Sequence, residues 1–275
     1  MDPFLIGGEL EVQRLGFGGM RLTGRNVTGW PDDRENALAV LRRARELGVD
    51  FFDTADAYGP EVNELQFAEA LHPYEGITVA TKGGLTRTGR GAWPPDGRPE
   101  YLKGACEASL NRLRLETIDL YQLHRPDPQT PFADSVGALA ELQAEGKIRH
   151  VGLSNVSVAQ LDEARRIVEI ASVQNEYNLG NRESEDVLEA CEREGIAFLP
   201  WYPLNAGSLA RPGGPVEEIA AAHDATPAQV ALAWLLQRSP VTIPIPGTSS
   251  LAHLEENLGA RELELTDDEL SRLTG

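Results

Sequence analysis

Short runs of aromatic and β-branched residues recur along the chain, and each run is followed by a stretch with helical periodicity. Runs of this kind are typical of strands that are buried on both faces. Their flanking turns favour strands over short buried helices. We predict eight strands, at residues 14–20, 49–55, 77–82, 118–124, 148–154, 171–177, 196–202 and 241–247.

The stretches between the runs place apolar residues three or four positions apart, as one buried face of a helix requires. The first stripe is Leu38, Leu41, Ala44 and Leu47, and Gly48 follows it at a helix C-cap position. Further along, Thr226 and Pro227 predict the start of another helix, because a capping hydroxyl precedes a proline at the first helical position. We interpret these stripes as core packing.

Strands that alternate with helices form either a doubly wound open sheet or a closed (β/α)8 barrel. The open fold needs a glycine-rich turn after its first strand, and in "GFGGMR" the last glycine is replaced by Arg21. The strand number and even spacing therefore favour an α/β fold of the (β/α)8 TIM-barrel type. Gly7 and Gly8 lie between two short apolar runs and predict an N-terminal hairpin across the barrel floor. We expect residues 1–275 to form one domain.

The composition of the chain limits the classes of partner that it is expected to bind. The chain has 25 Lys and Arg against 43 Asp and Glu, a net charge of −18, which disfavours binding to nucleic acids and to anionic membranes. No apolar run approaches the ~20 residues of a membrane-spanning helix, and the start has no signal-peptide pattern. Cys106 and Cys191 lack metal-ligand spacing and predict two free thiols. We expect a cytoplasmic monomer without a metal site.

Polar residues follow several of the predicted strands, at the barrel rim where active sites of this fold lie. Each has an ordinary explanation when taken alone, such as a turn cap, a surface lysine or a core histidine. Their convergence on one rim makes a catalytic cluster the better interpretation. The residues are Asp53, Tyr58, Lys82, His124, Ser154, Asn155 and Gln174.

The cluster suits carbonyl reduction. An ammonium group near Tyr58 is expected to lower the phenol pKa from about 10, and a carboxylate at Asp53 would keep Lys82 charged. His124 beside the phenol could then hydrogen-bond to the substrate oxygen while Tyr58 protonates it. An alternative is an aldolase-like barrel in which Lys82 forms a Schiff base, although pairing with Asp53 would oppose the neutral amine.

Several ordered motifs resemble the aldo-keto reductases, from "RLGFGGMRL" to "HLEENLGA". They are "FFDTADAYG", "TKGG", "DLYQLHRPDP", "GKIRHVGLSN" and "VQNEYN". The resemblance implies a barrel that binds a nicotinamide cofactor without a Rossmann turn. It also implies that Tyr58 is the general acid, that Asp53 and Lys82 tune it, and that His124 orients the carbonyl of a small-molecule substrate.

The same resemblance implies a set of cofactor contacts. Trp201 corresponds to an aromatic residue that stacks on the nicotinamide. A lysine and an arginine usually hold the 2′-phosphate, whereas this chain has Gly247 and His253 there. The expectation is therefore NADPH, with NADH possible. The implied contacts are Gly19, Met20, Ser154, Asn155, Gln174, Trp201, Tyr202, Pro203, Leu204, Gly247, Thr248, Ser249, His253, Glu256 and Asn257.

The substrate is less constrained by the sequence. "LPWYPL" and "PGTSSLAHLEEN" resemble a bacterial branch that includes pyridoxal reductases. The short loop at residues 205–214 predicts a shallow, open site for small or varied aldehydes. Two alternatives to a general NADPH-dependent carbonyl reductase stay open: a dedicated pyridoxal reductase, and a cofactor-binding regulatory barrel with little turnover.

Overall fold

The computed structural model describes residues 2–88, 91–205 and 214–274, and the chain enters the fold through an antiparallel hairpin. Its strands are β1 (Phe4–Ile6) and β2 (Leu10–Val12), paired with Ile6 opposite Leu10. Gly7 and Gly8 make the turn with φ of +60° and +73°, a backbone region that glycine adopts without a Cβ penalty. The predicted hairpin is confirmed.

Seven parallel strands follow and pair in the order in which they occur along the chain. Each connection carries at least one helix, as parallel neighbours require. The strands are β3 (Phe17–Gly18), β4 (Phe51–Asp53), β5 (Thr78–Gly83), β6 (Ile118–Leu123), β7 (Ile148–Ser154), β8 (Ile170–Gln174) and β9 (Ala197–Phe198). The helices are α1 (Arg34–Glu46), α2 (Val62–Leu71), α3 (Pro99–Leu113), α4 (Phe132–Ala144), α5 (Val158–Ala164), α6 (Glu185–Glu194), α7 (Pro215–Ala222), α8 (Pro227–Arg238), α9 (Leu251–Leu258) and α10 (Asp267–Thr274).

The eighth predicted strand, at 241–247, closes the barrel without forming a regular ladder. The Phe198 N–H donates to Val241 O at 2.9 Å, and the Ile243 N–H donates back to Phe198 O at 2.8 Å. On the other edge, the Gly16 N–H donates to Pro244 O at 2.9 Å. Pro244 and Pro246 have no N–H, which explains why the segment bridges both edges with few bonds. The predicted (β/α)8 barrel is confirmed.

Several strands are shorter than predicted, among them β4 and β8, and the shortest are β3 and β9 with two residues each. At 14–20 only β3 is extended, because the chain turns into a 3₁₀ helix at Gly19–Leu22 directly after it. At 196–202 the regular strand ends at Phe198, and Pro200 removes a donor from the continuation. The loop predicted at 205–214 falls mostly on residues 206–213, which lie outside the described residues.

The helix boundaries follow the predicted caps. Asp33 accepts a hydrogen bond from the Asn36 N–H at the start of α1, and Gly48 follows its end with a φ of +80°. Thr226 and Gln229 form a reciprocal capping box ahead of α8, with Pro227 in the first turn. No helix in the described ranges is both long and apolar enough to cross a membrane.

The two phenylalanines of β4 belong to different layers. Phe51 packs inside the barrel with Ala80 and Leu120, and hairpin residues cover this apolar layer from below. Phe52 points outward between the sheet and the helices, with its ring centroid 6.2 Å from that of Phe67 on α2. Successive side chains of a strand face opposite sides, so the residue after Phe52 must point inward again. That residue is Asp53.

Candidate active site

A polar layer lies directly above the apolar floor of the barrel. Asp53, Lys82 and Gln122 come two residues after Phe51, Ala80 and Leu120, so the strand alternation turns them into the same interior. Gln174 occupies the equivalent position on β8, two residues after Ser172. This alternation places four polar side chains in contact at the carboxyl ends of neighbouring strands.

The Lys82 ammonium is the centre of this layer and is fully buried. Its Nζ donates to Asp53 Oδ1 at 2.5 Å and to Thr54 O at 2.9 Å, and it lies 3.3 Å from the Tyr58 hydroxyl. Burial alone would lower the pKa of Lys82, but Asp53 and Tyr58 raise it by more, so the pKa lies above its ordinary 10.5. Lys82 therefore stays charged, which argues against a Schiff-base amine.

Two amides hold the second oxygen of Asp53. Gln122 Nε2 donates to Asp53 Oδ2 at 3.1 Å, and Gln174 Nε2 donates to the same oxygen at 3.0 Å. The buried carboxylate thus has partners on both oxygens, as a buried charge requires. Gln122 was not among the residues predicted from the sequence. The available signal was a polar residue within the predicted strand, two residues before His124, and the sequence alone does not show which way its side chain points.

Tyr58 lies on the loop between β4 and α2, which brings its ring over the polar layer. The Asn63 N–H donates to Tyr58 O at 3.1 Å and so ties the loop to the first turn of α2. The ring meets His124 edge-on with centroids 5.8 Å apart and Trp93 edge-on at 6.5 Å. The ring is therefore flanked by an imidazole and an indole, and its hydroxyl lies beside the Lys82 ammonium.

The pKa of Tyr58 lies above its ordinary 10.0 because the side chain is buried, and the Lys82 ammonium offsets only part of that rise. The expectation that Lys82 would give this phenol a lowered pKa is therefore wrong in its net direction. Loss of solvation outweighs the favourable charge, since a phenolate loses more hydration on burial than the neutral phenol does. Tyr58 is consequently protonated at neutral pH, the form that a proton donor needs.

His124 is held in its neutral form. Burial lowers the pKa of His124 well below 6.5, and the charges of Lys82 and Arg125 lower it further. Its Nδ1 is buried and has no hydrogen-bond partner among the described residues, while the ring forms part of the cavity wall. A neutral imidazole carries one N–H, which can be directed at a substrate oxygen.

A cavity of about 950 Å³ opens above these groups, at the carboxyl ends of the strands. It runs from Tyr58 and His124 to α9, and Lys82 lies beneath its floor. The predicted site residues that line it are Met20, Asp53, Tyr58, His124, Ser154, Asn155, Gln174, Trp201, Tyr202, Pro203, Leu204, Gly247, Thr248, His253, Glu256 and Asn257. The structure thus brings most of the sequence-predicted residues to one wall.

Gly19 and Ser249 are not part of that wall. A Cβ added to Gly19 would lie 2.3 Å from Asn63 Oδ1 and 2.6 Å from the Phe67 ring, so this glycine packs against α2. The Ser249 carbonyl accepts a hydrogen bond from Asn36 Nδ2 at 2.8 Å. Their contacts with a cofactor stay predictions.

Trp201 is fixed in the cavity wall by its own hydrogen bond. Its Nε1–H donates to Asn155 Oδ1 at 3.2 Å, and Asn155 Nδ2 donates to His124 O at 3.1 Å. Asn155 has a φ of +59°, a left-handed backbone that lets its amide span both neighbours. The indole plane is therefore held at one side of the cavity, as a stacking surface needs.

Two further acidic residues, Glu64 and Asp56, are buried near the site. Glu64 is fully buried on α2, where it accepts hydrogen bonds from Thr81 Oγ1 at 2.6 Å and Arg112 Nε at 2.6 Å. Asp56 is buried on the loop that carries Tyr58, where loss of solvation and the Glu64 charge raise its pKa. Both groups lie behind the cavity rather than in its wall.

Seven side chains in the cavity wall were not predicted from the sequence: Arg21, Leu85, Trp93, Arg125, Ala228, Ile245 and Pro246. Trp93 is covered by the Arg87 guanidinium, 3.8 Å from the ring centroid. Arg87 also donates to Asn26 O at 2.8 Å and so connects two loops at the cavity mouth. Trp93 lies away from any predicted strand end, whereas Arg21 and Arg125 directly follow the predicted strands 14–20 and 118–124.

A family match decides what this site belongs to. Residues 14–275 match the model of the Aldo/keto reductase family. The chain belongs to the aldo/keto reductase family. It is therefore an oxidoreductase that acts with a nicotinamide cofactor. The individual roles of Asp53, Tyr58, Lys82 and His124 in its catalysis stay predictions.

Relatives cover nearly the whole aldo/keto reductase chain. An uncharacterized oxidoreductase of Schizosaccharomyces pombe is 49% identical over 266 residues, 97% of this chain and 87% of the relative. Pyridoxine 4-dehydrogenase of Escherichia coli is 44% identical over 275 residues, 98% and 96% of the two chains. An aldo/keto reductase of Klebsiella pneumoniae, crystallised with NADP and acetate, superposes with a TM-score of 0.83 at 27% identity, covering 99% and 94%.

The two pKa shifts predict a broad pH profile for carbonyl reduction. His124 stays neutral as the pH falls below 6.5, and Tyr58 stays protonated until the pH rises above 10.0. We expect kcat/KM to be flat between these limits and to fall only outside them. The profile is measured from initial rates of carbonyl reduction between pH 5.5 and 10. A solvent or hydride isotope effect at each pH shows whether the chemical step limits the rate. An apparent pKa near 6.5 that disappears in His124→Gln would contradict the neutral, buried imidazole.

Proposed function

We propose that this aldo/keto reductase uses NADPH to reduce aldehydes and ketones to alcohols, with Tyr58 as the general acid. The observation that carries the proposal is the protonated Tyr58 hydroxyl, 3.3 Å from a charged Lys82 and beside a neutral His124, at the floor of the cavity. A proton donor in this setting is suited to an alkoxide that forms as the carbonyl is reduced.

Each residue of the cluster then has a separate task. His124 donates a hydrogen bond to the carbonyl oxygen and positions it beside Tyr58. Tyr58 passes its proton to that oxygen, and the Lys82 ammonium stabilises the phenolate that remains. Asp53, held by two glutamine amides, keeps Lys82 charged and in place. When bound, the nicotinamide cofactor supplies the hydride for the carbonyl carbon.

The cavity wall fits such a cofactor. Gly18 and Gly247 both line the cavity, and an added Cβ would lie 2.7 Å from Ile245 O at Gly18 and 2.5 Å from Gly18 O at Gly247. Only glycine allows the backbone to line the cavity so closely here. Trp201 offers a flat face, while Asn155 and Gln174 offer amides at the catalytic end. These residues would hold the nicotinamide, and Thr248, His253 and Asn257 would hold the adenosine phosphate.

Arg21 supplies a positive charge that is missing from the loop before α9, around Gly247 and Thr248, which is called the α9 loop below. It is exposed, lines the cavity and forms no ion pair with any residue in the described ranges. A Cβ on Gly247 would lie 3.6 Å from the Arg21 Cγ, so the side chain passes beside the loop where a lysine was expected. A guanidinium at this place is suited to bidentate binding of a phosphate. This supports NADPH over NADH.

Substitution of Arg21 tests the cofactor assignment. We expect Arg21→Ala to raise the NADPH dissociation constant about 10-fold or more through loss of charge-assisted hydrogen bonds, and to change NADH binding much less. Quenching of tryptophan fluorescence in titrations of the protein with each nucleotide measures both constants. Arg42→Ala, at an exposed arginine outside the cavity, is the control. Equal weakening of both nucleotides would assign Arg21 to the shared phosphates instead of the 2′-phosphate.

The substrate pair to test first is pyridoxal and pyridoxine, because of the similarity to the Escherichia coli dehydrogenase. A screen of NADPH and NADH oxidation with aliphatic aldehydes, aromatic aldehydes, ketones and pyridoxal tests the proposed reaction. Activity with pyridoxal alone would favour the dedicated pyridoxal reductase. Tight cofactor binding with no turnover of any carbonyl would favour the regulatory barrel and overturn the proposal.

We also propose that the protein works in the cytoplasm. Cys106 and Cys191 are both buried free thiols, a state that a reducing compartment maintains. Burial raises the pKa of each thiol to about 12, so neither is a reactive thiolate.

A further inference from the structure

Two arginines project charge into the cavity from opposite ends. Arg21 lies beside Gly247, in the region proposed for the cofactor phosphates, whereas Arg125 directly follows His124 at the catalytic end. Asp53 also contributes to the wall, but its charge is compensated by Lys82 at 2.5 Å. At the catalytic end, Arg125 thus adds a positive charge to the cavity wall of a protein whose net charge is −18.

The Arg125 guanidinium has no protein partner in the part of the chain that the structure describes. It is exposed, and it forms no hydrogen bond and no ion pair there. Other arginines do pair with carboxylates, as in Arg34–Glu69 and Arg43–Glu255, whereas the exposed Arg42 and Arg166 resemble Arg125 in having no ion pair within the described ranges. In a chain rich in acids, an arginine beside the catalytic histidine thus keeps its five N–H donors free.

A second cavity, of about 490 Å³, lies on the other side of Arg125. Both cavities share Arg125, Asn155 and Trp201 in their walls. The acidic residues that line the second cavity together with Arg125 are Glu176, Glu183 and Asp186, and none of these carboxylates lies within 4.0 Å of its guanidinium. These acids would repel an anion from the second cavity, so an anion bound by Arg125 is favoured on the Tyr58 side.

We propose that Arg125 is a specificity residue that binds an anionic group, a carboxylate or a phosphate, on the carbonyl substrate. The substrate class is then aldehydes and ketones that carry such a group a few bonds from the carbonyl. His124 holds the carbonyl oxygen while the adjacent guanidinium binds the anion in a bidentate contact. This inference rests on the proposed carbonyl reduction and adds the charge of the substrate to it.

The test compares substrates that differ in charge. One pair is 4-carboxybenzaldehyde and methyl 4-formylbenzoate, which share ring, length and aldehyde. A second pair is pyridoxal 5′-phosphate and pyridoxal, so the two pairs separate carboxylate from phosphate recognition. The readout is the kcat/KM for the anionic substrate divided by the kcat/KM for its neutral partner. If the substitution also disturbs His124, it changes both values of kcat/KM alike, and that change cancels in the ratio.

We expect Arg125→Glu to lower that ratio about 10- to 100-fold for at least one pair, as loss of a charge-assisted contact implies. Arg125→Lys should retain part of the preference for the anionic substrate, because lysine keeps the positive charge. Added KCl should lower the same kcat/KM ratio in the unsubstituted protein, because salt screens the charge. The control is Arg166→Glu, an equal charge change at an exposed position outside both cavities.

An unchanged ratio in Arg125→Glu would overturn the inference, and so would an equal fall in Arg166→Glu, which would indicate the overall field of the protein. Failure of the proposed function is distinguishable, since the unsubstituted protein would then reduce neither member of either pair. In that case the role of Arg125 is tested by the dissociation constants of 4-carboxybenzaldehyde and methyl 4-formylbenzoate, measured by tryptophan fluorescence titration. Tighter binding of the acid that is lost in Arg125→Glu supports the anion site, and equal binding overturns it.

Discussion

Tyr58→Phe is expected to lower kcat for aldehyde reduction by about 10²- to 10⁴-fold, the usual contribution of a positioned general acid. The substitution removes the hydroxyl that lies 3.3 Å from Lys82 Nζ and keeps the ring that packs against His124 and Trp93. Cofactor affinity should be unchanged, because the Tyr58 hydroxyl is proposed to contact the substrate oxygen and not the cofactor. Steady-state rates with a saturating aldehyde, together with a fluorescence titration of NADPH, measure both quantities.

Tyr74→Phe is the matched control for this experiment. Tyr74 is also a buried tyrosine, but its hydroxyl donates to Leu113 O at 3.0 Å and is not part of the cavity wall. We expect this variant to lose some stability and to keep its turnover. Full turnover in Tyr58→Phe, with the control also active, would show that another group protonates the alkoxide.

Lys82→Met is expected to abolish turnover and to lower the free energy of unfolding by about 3–5 kcal/mol, as removal of one partner of a buried ion pair does. Asp53 would keep its two glutamine donors but lose the ammonium at 2.5 Å, which leaves a buried carboxylate without a counter-charge. The double variant Asp53→Asn with Lys82→Met removes both charges and should recover part of the loss. Urea denaturation of both variants measures the difference.

The contribution of the pair has a defined pH range. Because the folded-state pKa of Lys82 is raised, its stabilising effect is complete below the ordinary value of 10.5 and is lost only as the pH rises through the folded-state pKa. Lys103→Met is the control, since Lys103 pairs with Glu141 at the surface, where solvent screens the pair and its loss should change stability little. A Lys82→Met protein as stable as the control variant would contradict the account of a buried pair.

Local patterns were sufficient to predict the scaffold and most of the polar cluster. Asp53, Lys82 and His124 each follow or end an apolar run, and the rule that parallel strands end on one rim is enough to bring them together from the sequence alone. Gln122 could not be assigned in the same way. Strands of a barrel are apolar on both faces, so the sequence of β6 does not indicate which of its residues points inward.

The surroundings of Arg21 and Arg125 could not be predicted from neighbouring residues in the sequence either. Arg21 and Gly247 are far apart in sequence, and only closure of the barrel brings the Arg21 side chain beside the α9 loop. Arg125 is adjacent to a predicted catalytic residue, but the sequence does not show whether a carboxylate reaches its guanidinium, because some exposed arginines of the chain are paired and others are not. Its free guanidinium is a property of the loops around it and of the carboxylates that do not reach it.

The order of elements, the barrel and the polar residues at its rim are encoded locally, because periodicity, caps and strand ends depend on residues that are neighbours in the chain. The protonation of the site is not encoded in this way. Proximity to Lys82 predicted a lowered pKa for Tyr58, but burial raises it, and Asp53 is held by amides from β6 and β8. Solvation and pairing depend on every element that packs around a group, and only folding brings those distant elements together.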